Sequence, residues 1–145
     1  MTPDVNVLLA ASRADHAHHK AAYRWLISAI AACATGGSVK LMPVVATSFL
    51  RLTTHAKIFV QPTPIAGAVA FVDSLLSIPG VEMPACGPEW RILRTLCLDQ
   101  NLVSNPIPDA WLAAAVLHAN EHLVTFDRDF KKLLPRSQLT ILATA

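Results

Sequence analysis

Along its length the chain alternates short, β-branched, almost uninterruptedly apolar runs with longer stretches whose apolar residues return at helical spacing. That alternation is restrictive. Strands joined through helices pair in parallel, the crossovers are right-handed, and helices come to lie on both faces of the sheet. Strands covered on both faces read as continuous apolar runs, because neither side meets water. The pattern therefore predicts an α/β fold with a mainly parallel central sheet flanked by helices.

The segment Asp4-Val-Asn-Val-Leu-Leu-Ala predicts the first, central strand. Asp15 is placed to cap a long helix running to about Ala34, where Gly36-Gly37 ends it. A short strand over Val39 to Met42 precedes a helix from Val44 to His55, which begins beside Pro43. Thr63-Pro64 supplies a cap and a first-turn proline for a helix to about Leu76, stopped by Pro79-Gly80. Val81 to Met83 reads as a third strand and Pro88 to about Leu98 as a helix. The loop from Asp99 to Pro108 leads into a helix over Asp109 to Asn120, followed by a strand over His122 to Phe126, a helical turn over Asp127 to Leu134, and a strand over Leu139 to Leu142.

The 145 residues suit one domain over 1–145, and a domain of that length buries about 68–70% of the surface its unfolded chain exposes. Apolar residues make up 53% and charged residues 15%, which excludes disorder and leaves a surplus for a partner surface. No apolar run reaches the roughly 18 residues of a membrane span, and no basic start leads into an apolar leader, so a soluble, cytoplasmic protein is expected. Cys33, Cys86 and Cys97 are odd in number, widely spaced and lack a C-x-x-C pair, which argues for free thiols over disulfides or a thiolate zinc site. A net charge of +2 is too mild to announce nucleic-acid binding by itself.

In open parallel sheets ligands bind outside the carboxyl ends of the strands. Asp127 and Asp129 directly follow the strand ending at Phe126, Asp109 begins the preceding helix, and Asp4 belongs to the first strand, so four aspartates fall at that edge. Taken singly, Asp109 after a proline reads as an ordinary first-turn acid and Asp127 as the cap of a helical turn. Asp4 is different: a carboxylate beside a core strand is costly, and no local cation pairs it. Two carboxylates about 4 Å apart repel by about 4 kcal/mol at an effective dielectric near 20, so several together call for a cation. Oxygen ligands point to Mg²⁺ or Mn²⁺, and a hard ion that accepts phosphate oxygens points to phosphodiester hydrolysis.

Four motifs carry a resemblance that spans nearly the whole chain: Pro3-Asp4-Val-Asn6-Val-Leu-Leu, Phe49-Leu50-Arg51-Leu52-Thr53-Thr54, Asn105-Pro-Ile-Pro-Asp109-Ala110-Trp-Leu-Ala-Ala, and Thr125-Phe-Asp127-Arg-Asp129-Phe130. In this order they resemble the VapC-type PIN-domain toxins of toxin–antitoxin systems. The resemblance implies an α/β/α sandwich and an Mg²⁺- or Mn²⁺-dependent endoribonuclease that cuts structured cellular RNA. It also implies a cognate VapB-type antitoxin and a homodimer. Carried over, Asp4, Asp109 and Asp127 match the family's metal-binding acids, and Asp129 an acid often beside them. One position departs: the glutamate common just before the Phe-Leu pair is Ser48 here, and no other acid lies between Asp15 and Asp73. Ser48, Asn6, Thr47 and water are the substitutes available. In this reading one ion on Asp4, Asp109 and Asp127 activates water, and Asn6 orients the ligands.

Arg128, Lys131, Lys132 and Arg136 cluster beside the acidic pair and either hold flanking RNA phosphates or form a solvated face. Arg51 is placed to contact substrate, to cover the core with its stem or, the favoured reading, to pair with an active-site aspartate. His118 and His122 are four apart, but Ala119-Asn120-Glu121 between them is not the H-E-x-x-H of a zinc helix. His16, His18 and His19 are expected to face solvent or a partner, and Trp25, Trp90 and Trp111 to anchor core or interface. The rival readings are a PIN-like RNA- or protein-binding module disabled by Ser48, and a haloacid-dehalogenase-like phosphatase, whose second aspartate is replaced by Asn6.

Overall fold

The structure, a computed structural model, describes residues 1–144. Among these, short strands β1 (Thr2–Pro3), β2 (Val39–Lys40), β3 (Val81–Glu82), β4 (Leu123–Thr125) and β5 (Leu139–Ile141) alternate with α1 (Val5–Ser12), α2 (His19–Cys33), α3 (Pro43–Thr53), α4 (Ile65–Leu76), α5 (Trp90–Asp99) and α6 (Pro106–His118). A 3₁₀ turn over Arg128–Lys132 follows β4. No helix among the described residues is long and apolar enough to cross a membrane.

All the strand pairs are parallel: β1 with β4 (Thr2 opposite Leu123), β4 with β5 (Leu123 opposite Leu139), and β2 with β3 (Val39 opposite Val81). The Lys40 N–H donates to the Met1 carbonyl at 2.9 Å and lays β2 beside β1, so the strands run across the molecule as β3-β2-β1-β4-β5. The order reverses between β1 and β4. The chain thus leaves those two strands toward opposite sides, opening a crevice at their carboxyl ends. Leu123, Val124 and Thr125 are each 0% exposed; successive residues of a strand face opposite ways, so helices cover both faces.

Helix α3 turns Val45, Ala46 and Phe49 inward, and the Phe49 ring lies 5.2 Å from that of Phe71 on α4. Helix α6 is buried from Leu112 to Val116, with Ala113 and Ala114 at 0%, small side chains that let neighbours approach its backbone closely. Cys33, Cys86 and Cys97 are free and half-buried.

Several elements differ from the sequence reading. The expected strand from Asp4 to Ala10 is a helix: β1 ends at Pro3, and Asp4 is the N-cap of α1, with an extended backbone and its carboxylate accepting from the Val5 N–H. A short apolar run has no period that separates a buried strand from a helix buried all round, and Val7 to Ala11 are all buried. Asp15 caps nothing. Arg13 grips it through two hydrogen bonds, at 2.7 and 3.0 Å, and α2 starts only at His19. Thr63 likewise does not cap α4; its hydroxyl accepts from Arg13 and from Thr53, each at 3.1 Å. Helix α6 begins at Pro106, one turn before the predicted Asp109, because proline fits the first turn where its missing N–H costs nothing.

Candidate active site

At the crevice between β1 and β4 the two strand ends are stitched through three side chains. The buried Thr125 hydroxyl, at the end of β4, donates to Asp4 Oδ2 at 2.6 Å. It accepts from Asn6 Nδ2 at 3.0 Å and from the Asp127 N–H at 2.9 Å. Asn6, in the first turn of α1, also donates to Asp4 Oδ2 at 3.0 Å and accepts from the Phe126 N–H at 3.2 Å through Oδ1. The parallel pairing of β1 with β4 is what brings D-x-N and T-x-D together across 119 residues. Thr125 has no role of its own in the sequence reading; its signal is that one triplet directly follows β1 and the other begins at the end of β4.

Asp4 is 4% exposed. Burial pushes its carboxyl above the usual range, the Asp127 charge adds to that, and the Thr125, Val5 and Asn6 donors oppose it. Asp109, in the first turn of α6, is pushed up to about 6, first by burial and then by the charges of Asp4, Asp127 and Asp129. These acids are therefore close enough to repel one another. Asp127 is held in place by its backbone bond to Thr125 while its Oδ1 accepts from the Asp129 N–H at 2.8 Å, capping the 3₁₀ turn. The capping role anticipated for Asp127 is present, and it leaves the second carboxylate oxygen for other work.

Ser48 on α3 lines, with Asp4 and Asp109, a hollow of about 30 Å³, the space one water occupies in the liquid. A wider cleft of about 310 Å³ opens on the other side of Asp109 and reaches Asp129. The donor set suits a hard divalent cation: neighbouring carboxylates, a hydroxyl, and room for water. Among the described residues no three acid, histidine or cysteine side chains stand together as a ready metal site, so a divalent cation here would need water or substrate oxygens to complete its coordination.

Arg51 departs from its expected place. It is exposed on α3, two residues and so about half a turn from buried Phe49, and no aspartate pairs with it among the described residues. Arg128 and Lys131 are exposed on the 3₁₀ turn, and Lys132 Nζ lies 3.1 Å from Asp129 Oδ1 with both side chains about three-quarters exposed, a pair worth at most about 1 kcal/mol and readily exchanged for phosphate. His122 is occupied by Ser137 O at 3.1 Å and Thr140 Oγ1 at 2.6 Å, away from His118. The histidines at the α1–α2 turn do more than face solvent: the His18 ring packs 5.0 Å from Phe126, and His19 Nδ1 donates to the Ala10 carbonyl at 2.9 Å. Trp111 Nε1 donates to the buried Glu89 at 2.7 Å, tying α6 to the start of α5, whereas Trp90 is 62% exposed.

The family model for the PIN domain matches residues 1–133. The chain belongs to the PIN-domain family. Among curated relatives of this PIN domain, ribonuclease VapC25 of Mycobacterium tuberculosis is 38% identical over 130 residues, covering 89% of each chain. VapC ribonuclease Mb2897 of Mycobacterium bovis is 35% identical over 89% of this chain and 86% of its own. Among solved structures, VapBC2 of Rickettsia felis, bound to a DNA fragment from its promoter, superposes with a TM-score of 0.66 at 16% identity over 98% of both chains. Mycobacterium tuberculosis VapC20, described as a sarcin–ricin loop cleaving toxin, gives 0.64 at 19% identity over 90% of this chain and 92% of that one. At such identities the structural matches speak for the PIN fold, an α/β/α arrangement about a parallel sheet.

Proposed function

We propose that this PIN domain is the endoribonuclease toxin of a type II toxin–antitoxin pair, hydrolysing phosphodiester bonds in structured cellular RNA with Mg²⁺, or Mn²⁺ in its place. The observation that carries the reading is the gathering of Asp4, Asp109, Asp127 and Asp129 from separate elements onto one sheet edge, close enough that Asp109 is pushed up to about 6. Relatives named ribonucleases at 35–38% identity support it and disfavour a module that only binds.

In this proposal Asp4, Asp109 and Asp127 hold the ion. A bound divalent cation supplies Lewis acidity, polarising water and the phosphate it contacts. The chain's own residues set the geometry. Thr125 and Asn6 fix the Asp4 carboxylate by hydrogen bonds to Oδ2, and the Val5 N–H at the start of α1 fixes Oδ1. Ser48 offers a neutral oxygen at the hollow it shares with Asp4 and Asp109, and adds no negative charge facing the ion. Asp129 adds negative potential at the cleft, and Arg128, Lys131 and Lys132 take flanking phosphates. Arg51, exposed and without an ion pair, is free to contact RNA farther out.

A VapB-type antitoxin is the proposed partner. Exposed apolar side chains on α2 (Tyr23, Ile27) and α4 (Ile65, Val69) support a protein-covered surface, and a homodimer in the cytoplasm, each copy a single domain over 1–145, completes the reading. The deciding experiment is incubation of total cellular RNA with purified chain in Mg²⁺, Mn²⁺ or EDTA, beside Asp4→Asn. Discrete fragments that disappear with EDTA and with the substitution are expected; intact RNA in every metal, from protein shown to be folded, overturns the assignment.

A further inference from the structure

The cleft beside Asp109 has features that handling one phosphate and one ion does not require. Its volume of about 310 Å³ lies at the lower end of small-molecule sites, about 300–1,000 Å³, enough for a single nucleotide base and too small for a stacked run. The walls are apolar, from Leu102, Pro106, Phe130 and Leu133, and Asp109 and Asp129 stand at the same cleft. Two amides, Gln100 and Asn105, line it as well. Gln100 Nε2 is engaged with the Lys132 carbonyl at 3.0 Å, which leaves its Oε1 as an acceptor, and Asn105 forms no side-chain hydrogen bond as the cap of α6.

The α5–α6 loop that carries these amides is held in an unusual shape. Asn101, with φ 49°, ends α5 as an ordinary left-handed cap, while Ser104 has φ 66°, a region that a serine seldom occupies. Hydrogen bonds from Leu102 N–H to the Cys97 carbonyl at 3.0 Å and from Ile107 N–H to the Ser104 carbonyl at 3.1 Å hold the turn, and the Gln100 bond ties it to the 3₁₀ turn across the cleft. A backbone kept in sparsely populated conformations by surrounding bonds is a recurring feature of ligand clamps.

We infer that this cleft, formed between the α5–α6 loop and the 3₁₀ turn, is a subsite for one unstacked RNA base next to the phosphate that is cut, with Asn105 and Gln100 reading the base edge. The inference rests on the ribonuclease reading for the placing of that phosphate. Single-stranded RNA is recognised by splayed bases packed on side chains and hydrogen-bonded along their edges, and amides, with a donor and an acceptor side by side, match such edges. Lys132 at the rim and Asp109 at the floor place the sugar–phosphate between the basic turn and the acids.

The test measures binding of the four nucleoside 5′-monophosphates, and of ribose 5-phosphate as the base-free control, to the purified chain in Mg²⁺, following the side-chain NH₂ resonances of Asn105 and Gln100. At least one nucleotide is expected to bind about tenfold or more tighter than the control and to shift those resonances, in keeping with the worth of stacking one base. Asn105→Ala should remove that preference, leave ribose 5-phosphate binding unchanged, and redistribute the cut sites in total RNA. Equal binding of nucleotides and control, or a preference that Asn105→Ala leaves intact, overturns the subsite; the cleft then belongs to a protein side chain or to solvent. If the parent cuts RNA while no base preference appears, only the subsite fails. If the base preference appears without metal-dependent cutting, the ribonuclease reading fails and takes with it the placing of a cut phosphate, while base binding in the cleft stands.

Discussion

Asp109 stores an electrostatic cost that is readable without substrate. An acid whose pKa is higher folded than unfolded holds its proton more tightly in the folded state, so it favours folding at low pH and loses that advantage as pH rises from 3.8 to about 6. Asp4 acts in the same direction. His16, held below its ordinary 6.5 first by burial, acts oppositely as pH rises toward 6.5, because its unfolded form takes up the proton more readily. The difference between parent and Asp109→Asn therefore isolates the aspartate. In chelator, Asp109→Asn is expected to be more stable than the parent at pH 7.5, by on the order of 1 kcal/mol once solvent screening of a half-exposed group is allowed for, with the gain shrinking toward pH 4 in urea titrations. Thr125→Val keeps the shape but strips Asp4 of a donor and leaves one Asn6 side-chain N–H and the Asp127 N–H without an acceptor. It should cost about 1–3 kcal/mol of stability and about 10- to 100-fold in Mg²⁺ affinity, measured by chemical denaturation and by metal titration.

At the scale of elements, the site depends on β1 being only two residues long and giving way to α1 at Asp4. One carboxylate thus caps the helix and faces the crevice, and the two roles can be separated. Asp4→Asn retains an oxygen for the Val5 N–H and loses the charge, but turns an NH₂ toward the Thr125 and Asn6 donors; it should still fold in chelator, at a cost of about 1–3 kcal/mol, and lose metal-dependent cutting. Asp4→Ala loses the cap as well and should melt as a protein less stable than the Asn variant by about 0.5–2 kcal/mol, seen by calorimetry. Equal stabilities would show that the cap contributes nothing. Helix α6 brings Asp109 to the same place through its first turn, and the Trp111 bond to Glu89 holds that turn against α5.

For the molecule as a whole, the reversal of strand order between β1 and β4 locates the crevice, and the mixed charge around it governs how ligands approach. In the proposed reading Mg²⁺ binds the folded chain and not the unfolded one, so saturating metal should raise the melting temperature by about 2–4 °C for each kcal/mol of linkage, an increase absent in Asp109→Asn. RNA binding in the non-cutting Asp4→Asn variant should weaken with salt by a log–log slope of about −0.7 for each phosphate held, and replacing Lys131 should flatten that slope without changing which RNA is preferred. A slope unaffected by Lys131→Ala would place the basic turn outside the interface.

The α/β class, the parallel sheet, the helix stops at Gly36-Gly37 and Pro79-Gly80, and the four aspartates at one edge were legible in the residues, because strand and helix periods and the chemistry of proline and glycine are local properties. Pairing and exposure were not. Whether the segment after Asp4 coils or extends was decided by burial of Val7 to Ala11 on every side, which erases the period that sequence reading relies on. Arg13 capturing Asp15 displaced a cap that the local pattern favoured. The Thr125 hydroxyl joins Asp4 to Asp127 only because β1 and β4, distant in the chain, lie side by side in register. The sequence by itself determined which side chains could do the chemistry; the tertiary structure decided which of them meet, since contacts between distant segments depend on strand order and packing that no local window contains.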